Sequence, residues 1–353
     1  MRPITAVGIL VFLAVASFCH LAQAQWIKSV VNTTEALRGL SVVNEKVIWA
    51  SGTGGTVINT VDGGKTWNVE KVPGAEKLDF RDIEAFDAKT AYILSIGNGS
   101  SSRIYKTIDG GSTWQLQFTN SNEKAFFDAI ACFDRNNCVA VSDPVDGHYP
   151  LIETSNGGKT WSPLVSNQMP AAKDGEAAFA ASGTCLIAYG RSNLFLVSGG
   201  SDARVFRSAD RGKTWTVSNT PIKSGTAGSG IFSIAMFNSS NGVVVGGNYE
   251  KPVEKDRNLA FTSDGGATWT SGRGISGYRS AVTYVFRQMI VAVGTNGSDI
   301  TLNGGVNWAV LDRNNYNSVQ AKGRGAVWAV GPKGMVARLA TFADAHPKLP
   351  SVR

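Results

Sequence analysis

The sequence predicts an all-β protein, a seven-bladed β-propeller whose blades are four-stranded antiparallel sheets. Two observations carry this prediction: an eight-residue turn motif recurs six times, and the segments between its copies are short runs of β-forming residues. Glycine supplies 40 of the 353 residues, which suits many tight turns. No stretch after residue 24 shows sustained helical periodicity. We therefore expect residues 25–353 to form a single propeller domain.

The turn motif has the form Ser/Thr-x-Asp-x-Gly-x-Thr-Trp, and its tryptophans recur every 39 to 54 residues. A period of about 40–50 residues is typical of propellers and solenoids. In each copy we expect the Asp to accept hydrogen bonds from N–H groups of its own turn. The Trp should pack between adjacent blades and place its indole N–H on a carbonyl oxygen. The motif residues interpreted as structural are Asp62 and Trp67, Asp109 and Trp114, Asn156 and Trp161, Asp210 and Trp215, Asp264 and Trp269, and Asn303 and Trp308.

The ring requires seven blades although the motif has six copies. Three more strand candidates follow Trp308, near Ser318, at Val327–Val330 and at Met335–Arg338. The β-rich run Trp26–Val31 precedes the first blade and has no blade of its own. If this run supplies the fourth strand of the last blade, the ring closes and neither terminus leaves an open sheet edge.

The first 24 residues have the pattern of a secretory signal. Arg2 precedes the apolar run Ile4–Ala16, and Ala22-Gln23-Ala24 has the small-x-small form of a cleavage site. We expect cleavage after Ala24 and a secreted or periplasmic protein without a transmembrane segment; a lipid anchor on Cys19 is the alternative. Loss of Arg2 changes the net charge from +7 to +6. No run of Lys or Arg marks a nucleic-acid tract, so no nucleic-acid partner is expected.

Three cysteines remain after such a cleavage. Cys132 and Cys138 flank a five-residue turn between two apolar stretches, which places them close together across a hairpin. An oxidising compartment would favour a disulfide between them. Cys185 lies on an apolar strand and is expected to be a buried thiol.

A candidate site follows from the innermost strands, because propellers bind ligands around the central channel. We align the starts of the seven innermost strands and place the start of the fourth strand at Glu176–Ala178. This alignment brings arginines, carboxylates and a tyrosine to one opening of the channel. One interpretation is a set of Arg–carboxylate pairs around a wet channel. The other is a recognition surface for a protein or an anionic ligand, since arginine is a frequent interface anchor. The residues gathered are Arg38, Arg81, Asp82, Asp128, Glu176, Arg279 and Tyr316.

The turn motif resembles the Asp-box, or BNR repeat, of sialidases, sortilin-type receptors and the photosystem II assembly/stability factor family. The whole mature chain looks most like the last of these, and the segments 127–130, 142–147 and 175–184 are similar to stretches of that family. The resemblance implies an exported protein-binding scaffold or assembly factor, whose partners could be membrane-protein subunits. We expect a monomer without bound cofactor or metal.

An enzyme is the competing interpretation, namely a carbohydrate-active hydrolase of the sialidase-like type that uses Asp82, Asp128 or Glu176. Three arginines and a tyrosine suit a sialidase, because arginines bind a carboxylate and sialidases use a tyrosine nucleophile. The Arg-Ile-Pro segment that sialidases carry early in the mature chain is missing. Two polar loops, residues 143–150 and 248–257, are further candidates for partner contact.

Overall fold

The computed structural model describes residues 25–166 and 169–340. The predicted signal peptide, its cleavage after Ala24 and the alternative anchor at Cys19 fall outside these residues, as does the end of the predicted domain after residue 340. Among the described residues no helix is long and apolar enough to cross a bilayer.

The predicted fold is confirmed: seven antiparallel sheets form a seven-bladed propeller, and the blades follow one another along the chain. The chain begins with β1 (Trp26–Lys28), which belongs to the last blade. Blades 1 to 3 are continuous in sequence, with a short 3₁₀ turn at Gly99–Ser101 in blade 2. Their strands are β2 (Leu37–Val42), β3 (Ile48–Gly52), β4 (Thr56–Thr60) and β5 (Asn68–Lys71); β6 (Phe80–Ala85), β7 (Ala91–Ser95), β8 (Arg103–Thr107) and β9 (Gln115–Thr119); and β10 (Phe127–Asp134), β11 (Asn137–Ser142), β12 (Leu151–Thr154) and β13 (Ser162–Pro163).

Blade 4 departs from this regular order, because β14 (Glu176–Ala177) and β17 (Gly199–Gly200) join the inner edge of blade 5. Blade 4 itself consists of β15 (Leu186–Tyr189), β16 (Asn193–Val197), β18 (Arg204–Ser208) and β19 (Thr216–Asn219). The remaining strands are β20 (Ser229–Met236), β21 (Gly242–Asn248), β22 (Leu259–Thr262) and β23 (Thr270–Ser271) in blade 5; β24 (Ala281–Phe286), β25 (Met289–Gly294), β26 (Gly297–Thr301) and β27 (Ala309–Asp312) in blade 6; and β28 (Ser318–Ala321), β29 (Val327–Val330) and β30 (Val336–Leu339) in blade 7.

The ring is closed by β1, as the sequence predicts. It pairs antiparallel with β30 in the register Trp26↔Leu339 and Lys28↔Ala337. The strand is shorter than the predicted Trp26–Val31 and spans three residues. Inner strand β28 of blade 7 in turn contacts β2 of blade 1. Closure therefore joins the two ends of the described chain within one sheet.

The turn motif holds itself together in the predicted way. In the first copy, Asp62 Oδ1 accepts the backbone N–H of Thr66 at 3.0 Å, and the Thr66 hydroxyl donates to Asp62 Oδ2 at 2.6 Å. The same two bonds recur at Asp109, Asp210 and Asp264. Asn156 and Asn303 keep the bond from the backbone N–H. Because these bonds favour the charged carboxylate, they lower the pKa of Asp210 to about 2.

The second glycine of the motif lets the preceding blade approach closely. A Cβ atom built on Gly64 would lie 2.3 Å from the Trp328 ring, and one on Gly158 would lie 2.9 Å from the Tyr92 ring. Gly305 meets the Phe261 ring in the same way, at 2.2 Å. The motif thus fixes the joint between neighbouring blades as well as its own turn.

The motif tryptophans pack between blades, but the prediction for their indole N–H groups is mostly wrong. Trp67 lies edge-on to Trp328 with ring centroids 5.5 Å apart, and Trp114 lies edge-on to Trp49. Trp215 Nε1 donates to the Gly212 carbonyl at 2.8 Å. Four of the indole nitrogens have no hydrogen-bond partner among the described residues, because their rings pack against apolar and aromatic side chains; these are Trp67, Trp114, Trp161 and Trp308.

The cysteines lie where the hairpin argument places them. Cys132 and Cys138 face each other across β10 and β11 and form a disulfide with a Cα–Cα distance of 4.0 Å. Cys185 is a buried free thiol.

We expect Trp26→Ala to lower the free energy of unfolding by about 2 kcal/mol, since a half-buried indole loses less than a fully buried one. The variant loses the contact of the Trp26 ring with Tyr316 and the hydrogen bond from Trp26 Nε1 to Ser298 Oγ. Denaturant unfolding measures the change. Val30→Ala is the control, because Val30 is 96% exposed and should change stability by less than about 0.5 kcal/mol. Equal stability of the two variants would contradict a stabilising role for β1 in closing the ring.

Candidate functional site at the channel

The channel is occupied at one end by a segment of the chain itself, residues 178–184, which we call the channel segment. It lies between β14 and β15, so the inner strand of blade 4 is Leu186–Tyr189. The sequence-based alignment placed this inner strand at Glu176–Ala178, and that placement is wrong. Glu176 instead pairs with Gly200 across β14 and β17.

Contacts with several blades show that the channel segment lies at the centre of the ring. Its Ala181 carbonyl accepts a hydrogen bond from Arg38 in blade 1, and its Ala180 carbonyl accepts one from Arg81 in blade 2. Ser182 Oγ donates to the Ser280 carbonyl of blade 6 at 3.0 Å. A peptide that reaches these blades together must cross the channel opening.

An aromatic stack seats the channel segment against blade 5. The Phe179 and Phe232 rings are parallel with centroids 4.0 Å apart, and Tyr278 meets Phe232 edge-on. Gly199 lies beneath the Phe179 ring, where a Cβ atom would come within 2.1 Å of it. This glycine therefore makes room for the stack.

A buried ion pair anchors the start of the channel segment. Arg204 Nε donates to Glu176 Oε1 at 2.8 Å, and Arg204 Nη2 binds Glu176 Oε2. Ser198 Oγ and the backbone N–H of Lys173 also donate to the Glu176 carboxylate. Glu176 thus has its partners within the fold, and its side chain has no exposed area. The sequence analysis missed Arg204, since nothing in its local pattern marks it as the partner of a residue 28 positions earlier.

A β-bulge defines which residues face the channel mouth. In β2, β6, β10 and β20 the pairing register skips one residue near the start of the strand. A bulge leaves the extra residue unpaired and redirects its side chain. The skipped residues are Arg38, Arg81, Asp128 and Phe232.

Two residues predicted for the mouth, Arg279 and Tyr316, match the position that precedes the bulge in blade 1. The backbone N–H groups of Arg279 and Tyr316 bond to the preceding blade's second strand, as that of Leu37 does. A side chain at the position of Leu37 lies between two blades. The next residue along the chain faces the channel, and this residue is Ser280 in blade 6 and Asn317 in blade 7. The sequence alignment was out by one residue here, because nothing in the sequence located the bulge.

Arg279 and Tyr316 accordingly have partners inside the protein. Arg279 is fully buried, with its Nε 2.8 Å from Asp299 Oδ2 and its Nη1 2.7 Å from Asn296 Oδ1. The Tyr316 hydroxyl donates to Asp312 Oδ2 at 2.8 Å, and burial together with this carboxylate raises its pKa. Neither side chain can meet a partner at the mouth.

Arg38, Arg81 and Tyr249 remain at the opening, and we call them the arginine mouth. Both arginines are partly exposed. Arg81 pairs with Asp79 at 2.8 Å, whereas no ion pair found in residues 25–166 and 169–340 includes Arg38. Burial and the charge of Arg81 lower the pKa of Arg38. Tyr249 is 48% exposed and packs edge-on against Phe232. Its loop attracted notice in the sequence only for its charges.

Buried carboxyls lie behind the arginine mouth. Asp82 accepts the backbone N–H groups of Ile83 at 2.8 Å and Ile130 at 2.7 Å, and burial raises its pKa to about 7. Burial and the nearby Asp82 raise the pKa of Glu84. Asp128 is 1% exposed, and burial and the charge of Asp143 raise its pKa. The carboxylate of Asp143 accepts the backbone N–H of Ala178, so it too supports the channel segment.

Several charged residues of the two polar loops have ion-pair partners, either within the loop or in a neighbouring segment. In residues 248–257, Glu254 pairs with Lys223 and Lys251, and Arg257 pairs with Asp256. In residues 143–150, Asp146 pairs with Lys124 at 3.1 Å. No group of three or more His, Cys, Asp or Glu able to hold a metal ion occurs in the described part of the chain.

No family model matches the chain, and no curated protein matches it either. Solved structures do match. YCF48 bound to a D1 peptide is similar with a TM-score of 0.65 and 17% identity, over 90% of this chain and 97% of that one. YCF48 from Cyanidioschyzon merolae gives 0.62 and 16% over 90% and 99%. The WD40 β-propeller domain of Doa1 gives 0.60 and 10% over 90% and 97%. At these identities the likeness establishes the shared propeller fold.

We predict that stability falls as the pH rises from about 4 to about 7. An unfolded Asp has a pKa of about 3.9, whereas burial raises that of folded Asp82 to about 7. Between these values the folded state binds more protons than the unfolded state, so raising the pH favours unfolding. Asp82→Asn should make the slope shallower in thermal unfolding between pH 4.5 and 8.

Asp146→Asn is the matched control, because this carboxylate is exposed and paired with Lys124. It should leave the slope unchanged. A slope in Asp82→Asn equal to that of the wild type would contradict the assignment.

Proposed function

We propose that this chain is an exported scaffold that holds a segment of a protein partner at its arginine mouth. The observation that carries the proposal is the pair of partly exposed arginines at neighbouring bulges. Each arginine has five N–H donors. Within the described residues Arg38 has one acceptor and Arg81 has two, so each guanidinium keeps N–H donors for a partner.

The chemistry of the arginine mouth suits a peptide that carries a carboxylate. Arginine binds a carboxylate through two parallel N–H···O bonds. Tyr249 adds a half-exposed aromatic ring, and arginine and tyrosine are both enriched among the residues that anchor protein interfaces. Such a carboxylate would come from an acidic side chain or from a free C-terminus of the partner.

The structural neighbours support a protein partner. One is YCF48, a photosystem II assembly factor, bound to a D1 peptide, and another is a WD40 propeller domain. By this analogy we propose that the partner belongs to the membrane-protein subunits that such a factor assembles. Export is proposed from residues 1–24, and the Cys132–Cys138 disulfide supports an oxidising compartment.

The hydrolase alternative receives less support. Glu176 is bound to Arg204, and Asp82 and Asp128 are buried behind the channel segment. A groove of about 500 Å³ does lie between the outer parts of blades 2 and 3, but the residues that line it include no carboxylate; His148 and Trp161 are among them. A glycosidase requires two carboxyl groups beside its substrate.

We expect Arg38→Glu combined with Arg81→Glu to abolish capture of the partner from the native host, because charge reversal repels a carboxylate. Thermal unfolding should show an intact fold, since both side chains reach solvent. Affinity capture with quantified recovery measures the effect.

Arg273→Glu combined with Arg313→Glu is the matched control, with the same change of charge at exposed positions after the outermost strands of blades 5 and 6. This variant should recover the partner as the wild type does. Unchanged recovery by the Arg38/Arg81 variant would refute the proposed site.

A further inference from the structure

The face opposite the arginine mouth is built from two kinds of turn. The hairpin between the first and second strands of each blade ends there, and so does the turn motif between the third and fourth strands. The two turns contact each other: Gly63 N–H donates to the Lys46 carbonyl at 3.0 Å in blade 1, and Gly304 N–H donates to the Gln288 carbonyl at 2.8 Å in blade 6. We call this surface, made by the hairpin turns of all seven blades and the six turn motifs, the turn-motif face.

Aliphatic side chains project from half of the turn-motif face. The second residue of the motif is Val61 in blade 1, Ile108 in blade 2 and Leu302 in blade 6, and these are 56%, 69% and 64% exposed. Val306 in the sixth motif is 76% exposed. Blades 6, 7, 1 and 2 are consecutive in the ring, so the four side chains lie on one arc. Blades 3, 4 and 5 have small residues at the same motif position, namely Ser155, Ala209 and Ser263.

Cationic residues surround these aliphatic tips. The turns of the same arc carry exposed Lys and Arg side chains, which are Lys46, Lys65, Lys89, Arg287, Lys322 and Arg324. The same turns also hold four carboxylates, Glu45, Asp62, Asp87 and Asp109, so six cations leave the arc with an excess of two positive charges. Asp62 and Asp109 accept hydrogen bonds from threonines of their own turns. Asp87 accepts the N–H groups of Lys89 and Thr90 and pairs with Arg135.

The protruding turns carry single aliphatic side chains among lysines and arginines. This combination suits the interface between water and an anionic bilayer. The aliphatic groups enter the headgroup region, and the cations remain beside the lipid phosphates. The tips come from three blades, with Val61 in blade 1, Ile108 in blade 2 and both Leu302 and Val306 in blade 6, so they are spread across the arc as contact with an extended flat surface requires. We propose that the turn-motif face rests on an anionic lipid bilayer, tilted so that blades 6, 7, 1 and 2 touch it.

This inference goes beyond the proposed function and involves the opposite surface. A propeller attached in this way turns its arginine mouth away from the lipid. The mouth would then face a partner segment that extends from the membrane into the aqueous phase.

Sedimentation with vesicles tests the proposal on the purified protein in the absence of any partner. We expect binding to vesicles of equal parts phosphatidylglycerol and phosphatidylcholine at 50 mM NaCl, and at least tenfold weaker binding to pure phosphatidylcholine. Binding should fall at least tenfold at 500 mM NaCl, because salt screens the attraction. Failure to bind the anionic vesicles at 50 mM NaCl would overturn the proposal.

A triple variant tests the aliphatic tips. Val61→Ser with Ile108→Ser and Leu302→Ser should weaken binding at least tenfold while leaving thermal unfolding unchanged, since the chain itself has Ser at this motif position in blades 3 and 5. The matched control replaces three exposed valines away from the turn-motif face by Ser. These are Val30, Val165 and Val253, which are 96%, 75% and 72% exposed. Equal binding by the two triple variants would refute contact through the tips.

Two further variants separate this inference from the proposed function. Lys46→Glu with Lys65→Glu and Lys89→Glu should abolish vesicle binding, whereas Arg38→Glu with Arg81→Glu should bind as the wild type does. Vesicle binding that depends on Arg38 and Arg81 would place the lipid at the wrong face and overturn the inference. Loss of partner capture with vesicle binding retained would leave it intact.

Discussion

Three joints of this ring depend on a place where a side chain is missing, and these are the joints at Gly64, Gly158 and Gly305. At the second glycine of the turn motif, backbone of one blade lies against a ring of the blade before it, such as Trp328 over Gly64 or Phe261 over Gly305. Both glycines have positive φ, at 80° and 96°, so a side chain would be strained as well as obstructed. These contacts let neighbouring blades lie close together and so help to position the starts of their inner strands. The arginine mouth exists because those strand starts converge on a common opening.

The sequence predicted the repeating part of the fold well, because each repeat carries its own local signal. The Asp-to-Thr hydrogen bonds lie within one turn and follow from its residues alone. The pairing of β1 with β30 follows because an unpaired strand edge needs a partner. The inner strand of blade 4 was predicted too early in the chain, because the channel segment precedes the strand that lines the channel. No periodic pattern distinguishes a peptide that crosses a channel from a strand that lines it.

The candidate site was predicted only in part, and the reason is a single residue of register. Arg38 and Arg81 occupy bulges at the mouth, as the alignment required. Arg279 and Tyr316 precede the corresponding position and are buried between blades. A side chain's direction changes with each residue along a strand, so an alignment accurate to within one residue cannot assign it to channel or core. Arg204 and Tyr249 became visible only once distant parts of the chain were brought together.

The union of β1 with β30 makes the two termini of the propeller interdependent during biosynthesis. The strand that is made first has no hydrogen-bonding partner until the last blade has been synthesised, because its partner lies some 310 residues later, at Ala337–Leu339. A chain that stops early keeps an unpaired strand edge, which is the kind of surface that favours aggregation. The fold of the first strand therefore depends on synthesis of the last blade.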